Sequence, residues 1–232
     1  MKIIVKGGVI LDIYNKIDNI LLDSENPSIE IEKLMAEEDY NNGIFEIIAK
    51  LKDIPQDKEF HPEGNVWNHT KMVIDFAAKV RNFANNKDIF MWSALFHDIG
   101  KITTTKFIKG RYRSYNHDKE GEKITYNLLK NYISERKVNN ISEIVGFHMH
   151  HIYILKDLPF SNIPKLAKSI NYNDIILLFI CDKLGRGNQD KEDKIRILNE
   201  VEDILDKLER EDSNINNSIK FKIEEIKNII IK

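Results

Sequence analysis

The sequence predicts an all-α protein, a helical bundle with one small hairpin, and three observations carry that expectation. Apolar residues recur along most of the chain with the period of helices rather than that of strands. The 232 residues hold 42% hydrophobic and 31% charged side chains, an ordinary folded composition with enough chain for a buried core. Neither an internal repeat nor a clear linker divides the sequence, so one helical domain is the simplest organisation.

The elements follow in order. Ile29, Ile31, Leu34 and Met35 predict a first short helix, and Ile44 to Leu51 a second. Trp67 to Phe83 reads as a longer helix, with Val73, Ile74, Phe76, Ala77 and Val80 apolar. Ile89 to Ile99 is nearly all apolar until His97-Asp98, which predicts a buried helix, and Gly100 is placed to end it. From Thr103-Thr104-Thr105 to Tyr115 the pattern alternates, with Lys109-Gly110 as the turn of a small hairpin near 105–115. Helices are expected again over about 117–132, 140–151 and 173–186. Pro159 and Pro164 bracket a loop that precedes a short helix. At the C-terminus, Leu198, Val201, Leu205 and Leu208 line one helix face, and Ile219, Ile223, Ile226 and Ile230 the next. A helical hairpin packed on the same domain accounts for both stripes; a homo-oligomer interface is the sharper alternative. Gly7-Gly8 is the mark of a short hairpin near the N-terminus. The expected organisation is a helical lead over 1–60 packed on the core, a central core over 61–190, and C-terminal helices of the same domain over 191–232.

Charge and composition exclude several functional classes. Lysine and arginine number 35 against 37 acidic residues, a formal charge of −2, so no global basic field exists to hold extended nucleic acid. The single cysteine, Cys181, excludes an internal disulfide and suits a reducing compartment. No apolar run reaches the length of a membrane span, and the N-terminal stretch lacks a signal peptide's apolar core and cleavage site. The expected location is the cytoplasm. All seven histidines lie between His61 and His151, a clustering that points to imidazole chemistry in the middle of the chain.

Three features stand apart from core logic. His69 lies near the start of a helix, His97-Asp98 ends a hydrophobic helix, and Asp182 ends the apolar run Ile175 to Cys181. A buried carboxylate without a partner is costly or shifts until it is neutral. Two aspartates beside buried stripes therefore call for a common cation, and a divalent metal completed by imidazole nitrogens supplies it. Singly, each residue has a plainer reading as a hydrogen-bonded core histidine or a turn-forming aspartate. Together, the order His, His-Asp, Asp resembles the signature of the HD metal-dependent phosphohydrolase superfamily. The likeness is closer than that. His61-Pro62-Glu63-Gly64-Asn65-Val66-Trp67-Asn68-His69-Thr70, with Ile54-Pro55-Gln56 before it, resembles the HPEGDVWxHT motif of the HD domain in bacterial tRNA nucleotidyltransferases, the CCA-adding enzymes. Phe96-His97-Asp98-Ile99-Gly100-Lys101, Asn116-His117 through Glu120-Gly121, Phe147-His148 and Cys181-Asp182-Lys183-Leu184-Gly185-Arg186 resemble later motifs of that domain, in the same order.

The resemblance covers roughly 50–190 and departs at two places. Asn65 stands where the motif has aspartate. Residues 1–60 are too short for a nucleotidyltransferase head and hold neither its Gly-Ser loop nor its paired carboxylates, so the expectation is a stand-alone HD domain that does not add CCA. The resemblance implies His69, His97, Asp98 and Asp182 as metal ligands for Mn, Mg, Ni or Co, with His117 and His148 either holding a second ion or, for His117, acting as general acid. It implies Asp98, Lys101, His117 and Arg186 as the catalytic group. Lys101 and Arg186 also become candidates for substrate phosphate, joined by Arg111, Arg113 and His61. His150 and His151 are expected at the surface or the pocket rim. The implied activity is hydrolysis of a 2′,3′-cyclic phosphate or 2′-phosphate on a nucleotide or RNA end. Two alternatives stay open: hydrolysis of nucleoside 5′-phosphates or triphosphates, and a non-catalytic module that binds nucleotides or RNA ends.

Overall fold

The computed structural model describes residues 2–37, 43–187, 189–213, 215 and 217–230; the rest of the expected lead, core and tail (Met1, 38–42, 188, 214, 216 and 231–232) lies outside them. Among the described residues the elements run α1 (Lys2–Asp23), α2 (Pro27–Glu37), α3 (Ile44–Lys50), α4 (Val66–Val80), α5 (Lys87–Phe96), α6 (Lys101–Thr104), β1 (Thr105–Ile108), β2 (Arg111–Ser114), α7 (His117–Leu129), α8 (Glu135–Phe147), α9 (His150–Leu155), α10 (Ile163–Ala167), α11 (Tyr172–Leu184), α12 (Lys191–Glu211) and α13 (Asn217–Ile230). Short 3₁₀ turns follow α3 and α4. Among the described residues the protein is all-α apart from one hairpin, as its periodicity predicts. No helix among the described residues is long and apolar enough to cross a membrane.

α5 is the centre of the bundle. Its residues from Ile89 to Phe96 are all buried, and it packs against α1, α4, α8 and α11. A helix that is apolar on every side has no solvent face to offer, so its neighbours must surround it. α11 obeys the same logic, buried almost throughout from Asn173 to Leu184. The chemistry-bearing residues sit at the ends of these two buried helices, where the backbone emerges from the apolar core.

Several local details depart from expectation. Gly7 and Gly8 lie inside α1 rather than in a hairpin. α1 is tied to the core by Tyr14, which stacks on Trp92 with ring centroids 4.7 Å apart, while the Trp92 indole donates to Asp18. Gly100 does not end α5 in a left-handed cap; its φ is −66°. Consecutive i→i+3 bonds from Ile99 to Phe96 and from Lys101 to Asp98 continue the turn instead. Glycine is needed there for closeness: a Cβ on Gly100 would lie 2.0 Å from the His117 carbonyl oxygen and 2.5 Å from the Gly121 nitrogen. The expected helix over 140–151 is two helices, broken at His148-Met149.

The hairpin forms as predicted, with Thr105 opposite Ser114 and Phe107 opposite Tyr112. Lys109 and Gly110 both have positive φ, 51° and 79°, as a two-residue turn compatible with strand twist requires. In the C-terminal pair, Leu198, Val201, Leu205, Leu208, Ile219, Ile223 and Ile226 are buried within the chain's own core. Phe221, Ile229 and Ile195 are the large apolar side chains left exposed on α12 and α13 among the described residues.

Candidate metal centre and cleft

The centre is built where several helix ends meet. His69 lies one turn into α4, whose entry is fixed by Asn65: its side chain accepts the Asn68 backbone N–H at 2.8 Å. Asparagine and aspartate cap helices equally well, so the change from the motif's aspartate is conservative here. His97 and Asp98 follow the last residue of α5, and Asp182 occupies the last turn of α11. His117 opens α7, His148 caps α8, and His151 is the second residue of α9.

The histidine rings share one device. Nδ1 of His97 lies 2.8 Å from the Ala94 carbonyl oxygen, that of His117 2.7 Å from Ser114, that of His148 2.6 Å from Val145, and that of His151 2.7 Å from His148. Nδ1 of His69 lies 3.1 Å from the Gly185 carbonyl oxygen and 3.2 Å from Glu63 Oε1. A carbonyl oxygen only accepts, so each Nδ1 carries a proton and each ring turns its Nε2 edge inward. Those Nε2 atoms converge on the two aspartates. His69 Nε2 is 3.0 Å from Asp182 Oδ1 and 3.8 Å from Asp98 Oδ2, and His97 Nε2 is 3.5 Å from Asp98 Oδ2. On the other side of the same carboxylate, His117 Nε2 and His148 Nε2 lie 3.3 and 3.6 Å from Asp98 Oδ1. Two groups result, His69 with His97 and Asp182, and Asp98 with His117 and His148, each with its donor atoms within 4.8 Å of one another. The two oxygens of Asp98 face one group each.

The residues fit a divalent cation. Nε2 of His97 and of His151 are buried and have no hydrogen-bond partner, although buried polar atoms are rarely left so. Burial holds both rings toward the neutral, ligating form, His151 down to about 3. Asp98 and Asp182 stay ionised against the cost of burial. For Asp98 the Lys101 ammonium and nearby imidazoles override that cost; for Asp182, Arg186 and His69 do. Burial opposes charge on His69 too, but hydrogen bonds to Asp182 and Glu63 outweigh it and raise the ring. Two carboxylates and neutral imidazoles are the donor set of a hard-to-intermediate divalent ion.

A cavity of about 340 Å³ opens over the centre and is lined by Asp98, Lys101, His117, Asp182, Arg186 and His61, among others. Lys101 is buried, with its ammonium 2.7 Å from both Asp98 Oδ2 and Gln56 Oε1. Arg186 reaches Asp182 Oδ1 at 3.4 Å. His61 forms part of the wall and lies 2.9 Å from Glu63. Arg111 and Arg113 do not line this cavity. Strand residues alternate, so Tyr112 and Ser114 face the cleft while Arg111 turns toward Glu59 and Arg113 toward the Tyr115 hydroxyl. His150 and His151 are buried, not at the surface, because the chain bends at His148-Met149 and α9 drives both rings inward. Glu63 and Gln56 had no role in the sequence reading beyond their place in the motif. Their spacing from His61 and Lys101 gives no sign of contact, which only the fold supplies.

A helical bundle that focuses buried histidines and aspartates on one point beneath an open cleft is the architecture of a metal-binding domain. Residues 66–211 match the HD domain model, most of the chain, and the protein belongs to the HD domain family, whose superfamily is one of metal-dependent phosphohydrolases. Curated relatives are similar over this region. The "Multifunctional CCA protein" of Pasteurella multocida is 26% identical over 151 residues, 62% of this chain and 36% of that protein. The protein of the same name from Actinobacillus pleuropneumoniae serotype 5b is 26% identical over 170 residues, 70% and 41%. That of Haemophilus influenzae is 25% identical over 185 residues, 74% and 43%. The chain thus spans about two fifths of the length of these relatives.

Proposed function

We propose that this protein hydrolyses phosphate esters of nucleotides or RNA ends, as a 2′,3′-cyclic phosphodiesterase, 2′-nucleotidase and phosphatase. The observation that carries the reading is the pair of buried, unpartnered imidazole nitrogens, His97 Nε2 and His151 Nε2, beside two ionised aspartates under an open cleft. His69, His97, Asp98 and Asp182 would hold the first divalent ion, and Asp98, His117 and His148 a second. When bound, such an ion polarises a phosphoryl oxygen and makes water a better nucleophile. The chain's own residues do the rest. Asp98 and Asp182 balance the ion's charge. Lys101 and Arg186, on the cleft wall, bind and orient the phosphate. Water adds to phosphorus, the P–O bond to the 2′ or 3′ oxygen breaks, and that ribose oxygen takes up a proton. The near-neutral chain favours a small substrate or a terminus over extended RNA.

The test is turnover of 2′,3′-cyclic AMP by metal-stripped protein resupplied with Mn, Ni, Co or Mg, beside Asp98→Ala. We expect turnover only with metal and a loss in Asp98→Ala on the order of 10³-fold or more, with the circular dichroism spectrum kept. Folded, metal-loaded protein that leaves the cyclic ester intact would overturn the reading and turn attention to 5′-nucleotides and to binding alone.

A further inference from the structure

On the far side of His117 lies a second cavity, about 700 Å³, that the chemistry above does not use. It abuts the catalytic cleft: Ser114, Tyr115, His117 and Met149 line both. Two of its lining residues bury a polar atom that has no protein partner, Asp118 Oδ1 and His150 Nδ1. Asp118 is 1% exposed and His150 9%. Its other carboxylate oxygen, Oδ2, accepts the Tyr153 hydroxyl at 3.3 Å, so one acceptor remains for a ligand. The Glu122 carboxylate lines the same cavity. Aromatic faces line the same cavity, together with the cations Lys119 and Lys165. Tyr153 meets Phe160 edge-on with centroids 5.7 Å apart, Phe147 packs on the His150 ring, and Phe160 stands 62% exposed.

Two carboxylates one helical turn apart, Asp118 and Glu122, beside aromatic faces suit a flat ring that carries adjacent N–H donors, and Lys119 and Lys165 on the same lining can donate to a carbonyl oxygen beside them. We propose that this cavity is a nucleobase subsite selective for guanine. Guanine sets a ring N–H and an amino group side by side, both able to donate toward Asp118 and Glu122. Adenine and cytosine offer the amino group beside a ring nitrogen that accepts. Uracil has one N–H, flanked by two carbonyl oxygens, so it offers the two carboxylates a single donor. The proposal rests on the reading above only for the phosphate: His117 at the seam and Asp118 behind it are consecutive on the first turn of α7, so a nucleotide with its phosphate in the cleft sends its base across that seam.

Two measurements test it separately from the hydrolase reading. The first is calorimetric titration of metal-free protein with guanosine and with uridine. Guanosine should bind about 10-fold or more tighter, and Asp118→Asn, which turns an acceptor into a donor, should erase the difference. The second is kcat/KM for 2′,3′-cyclic GMP against 2′,3′-cyclic UMP, which should show the same preference and the same loss. Should Asp118→Asn not fold, the exposed Phe160→Ala carries the test by weakening guanosine roughly five-fold. Equal binding of the two nucleosides, no binding of either, or a preference that survives Asp118→Asn overturns the subsite. Hydrolysis without base preference removes the subsite and keeps the phosphohydrolase. Guanosine preference without hydrolysis keeps the subsite and removes the phosphohydrolase.

Discussion

The cluster around Asp98 and the C-terminal pair α12–α13 are both dense in charge, and they use it in opposite ways. On α13, Lys220 pairs with Asp206 and Glu209, and Lys227 with Glu202 and Glu224, all on solvated surface. Each such pair is local and screened, and contributes little. Around Asp98, ionisable groups from six helices or their ends are withdrawn from water and face one point, with His97 Nε2 and His151 Nε2 unsatisfied. Charge density therefore does not locate the site. Desolvated charge that the protein leaves incompletely paired does.

Four changes sharpen that contrast, taken from the largest effect down. Gly100→Ala sets a methyl group against the backbone of α7 and must push His117 away from Asp98. We expect a loss of about 3 kcal/mol in a urea melt, with metal affinity falling alongside it. Glu63→Gln weakens the carboxylate that shares the His69 Nδ1 proton, and metal affinity measured by competition with a chelator should fall about 10- to 100-fold with the fold intact. An unchanged affinity would mean that the Gly185 carbonyl alone orients the ring.

The third change probes a group that is buried yet fully partnered. Tyr14 is buried against Trp92 and accepts a hydrogen bond from Lys137. Burial, aided by Asp18 and Asp88, outweighs Lys137 and pushes its phenol above the ordinary 10.0. Folded protein then holds that proton more tightly than unfolded protein does. Its contribution is complete below pH 10 and is lost as pH rises through the raised value. Tyr14→Phe should cost about 1 kcal/mol at neutral pH and should lack this added alkaline loss when both proteins are melted from pH 8 upward. Equal alkaline slopes for the two proteins would refute it. Last, Lys220→Ala should leave the thermal midpoint where it was at both low and high salt; a clear drop at low salt would show that the exposed pairs matter more than their solvation suggests.

Much of this was legible in the sequence, and the failures have physical reasons. Helical period located α4, α5, α11 and the C-terminal pair because their apolar stripes are buried as read. Lys109-Gly110 identified the hairpin turn because few residue pairs tolerate two positive φ angles. His97, Asp98 and Asp182 stood out because polar residues ending apolar helices have no place in a core, and His69 because of the motif around it. Gly7-Gly8 misled because glycine lowers helix propensity without forbidding helix. Gly100 misled because a close approach between backbones leaves no mark on local sequence. The break at His148-Met149 carries no proline or glycine, which hid the burial of His150 and His151. Arg111 and Arg113 were legible as basic but not as outward-facing; the alternation with Tyr112 and Ser114 held that information once the cleft was located.

The carbonyls of Ala94, Ser114, Val145, His148 and Gly185 that hold the imidazole rings belong to the main chain. At Ala94, Ser114 and Val145 another residue presents the same oxygen as long as the helices keep their course, whereas His148 also offers its own ring to the centre and Gly185 is held by its close approach to Val73. Ring orientation is thus insulated from side-chain change nearby, and neighbouring cavities can be relined without detuning the centre. A scaffold of this kind separates what binds the metal from what selects the substrate, so the second can be altered while the first stays fixed.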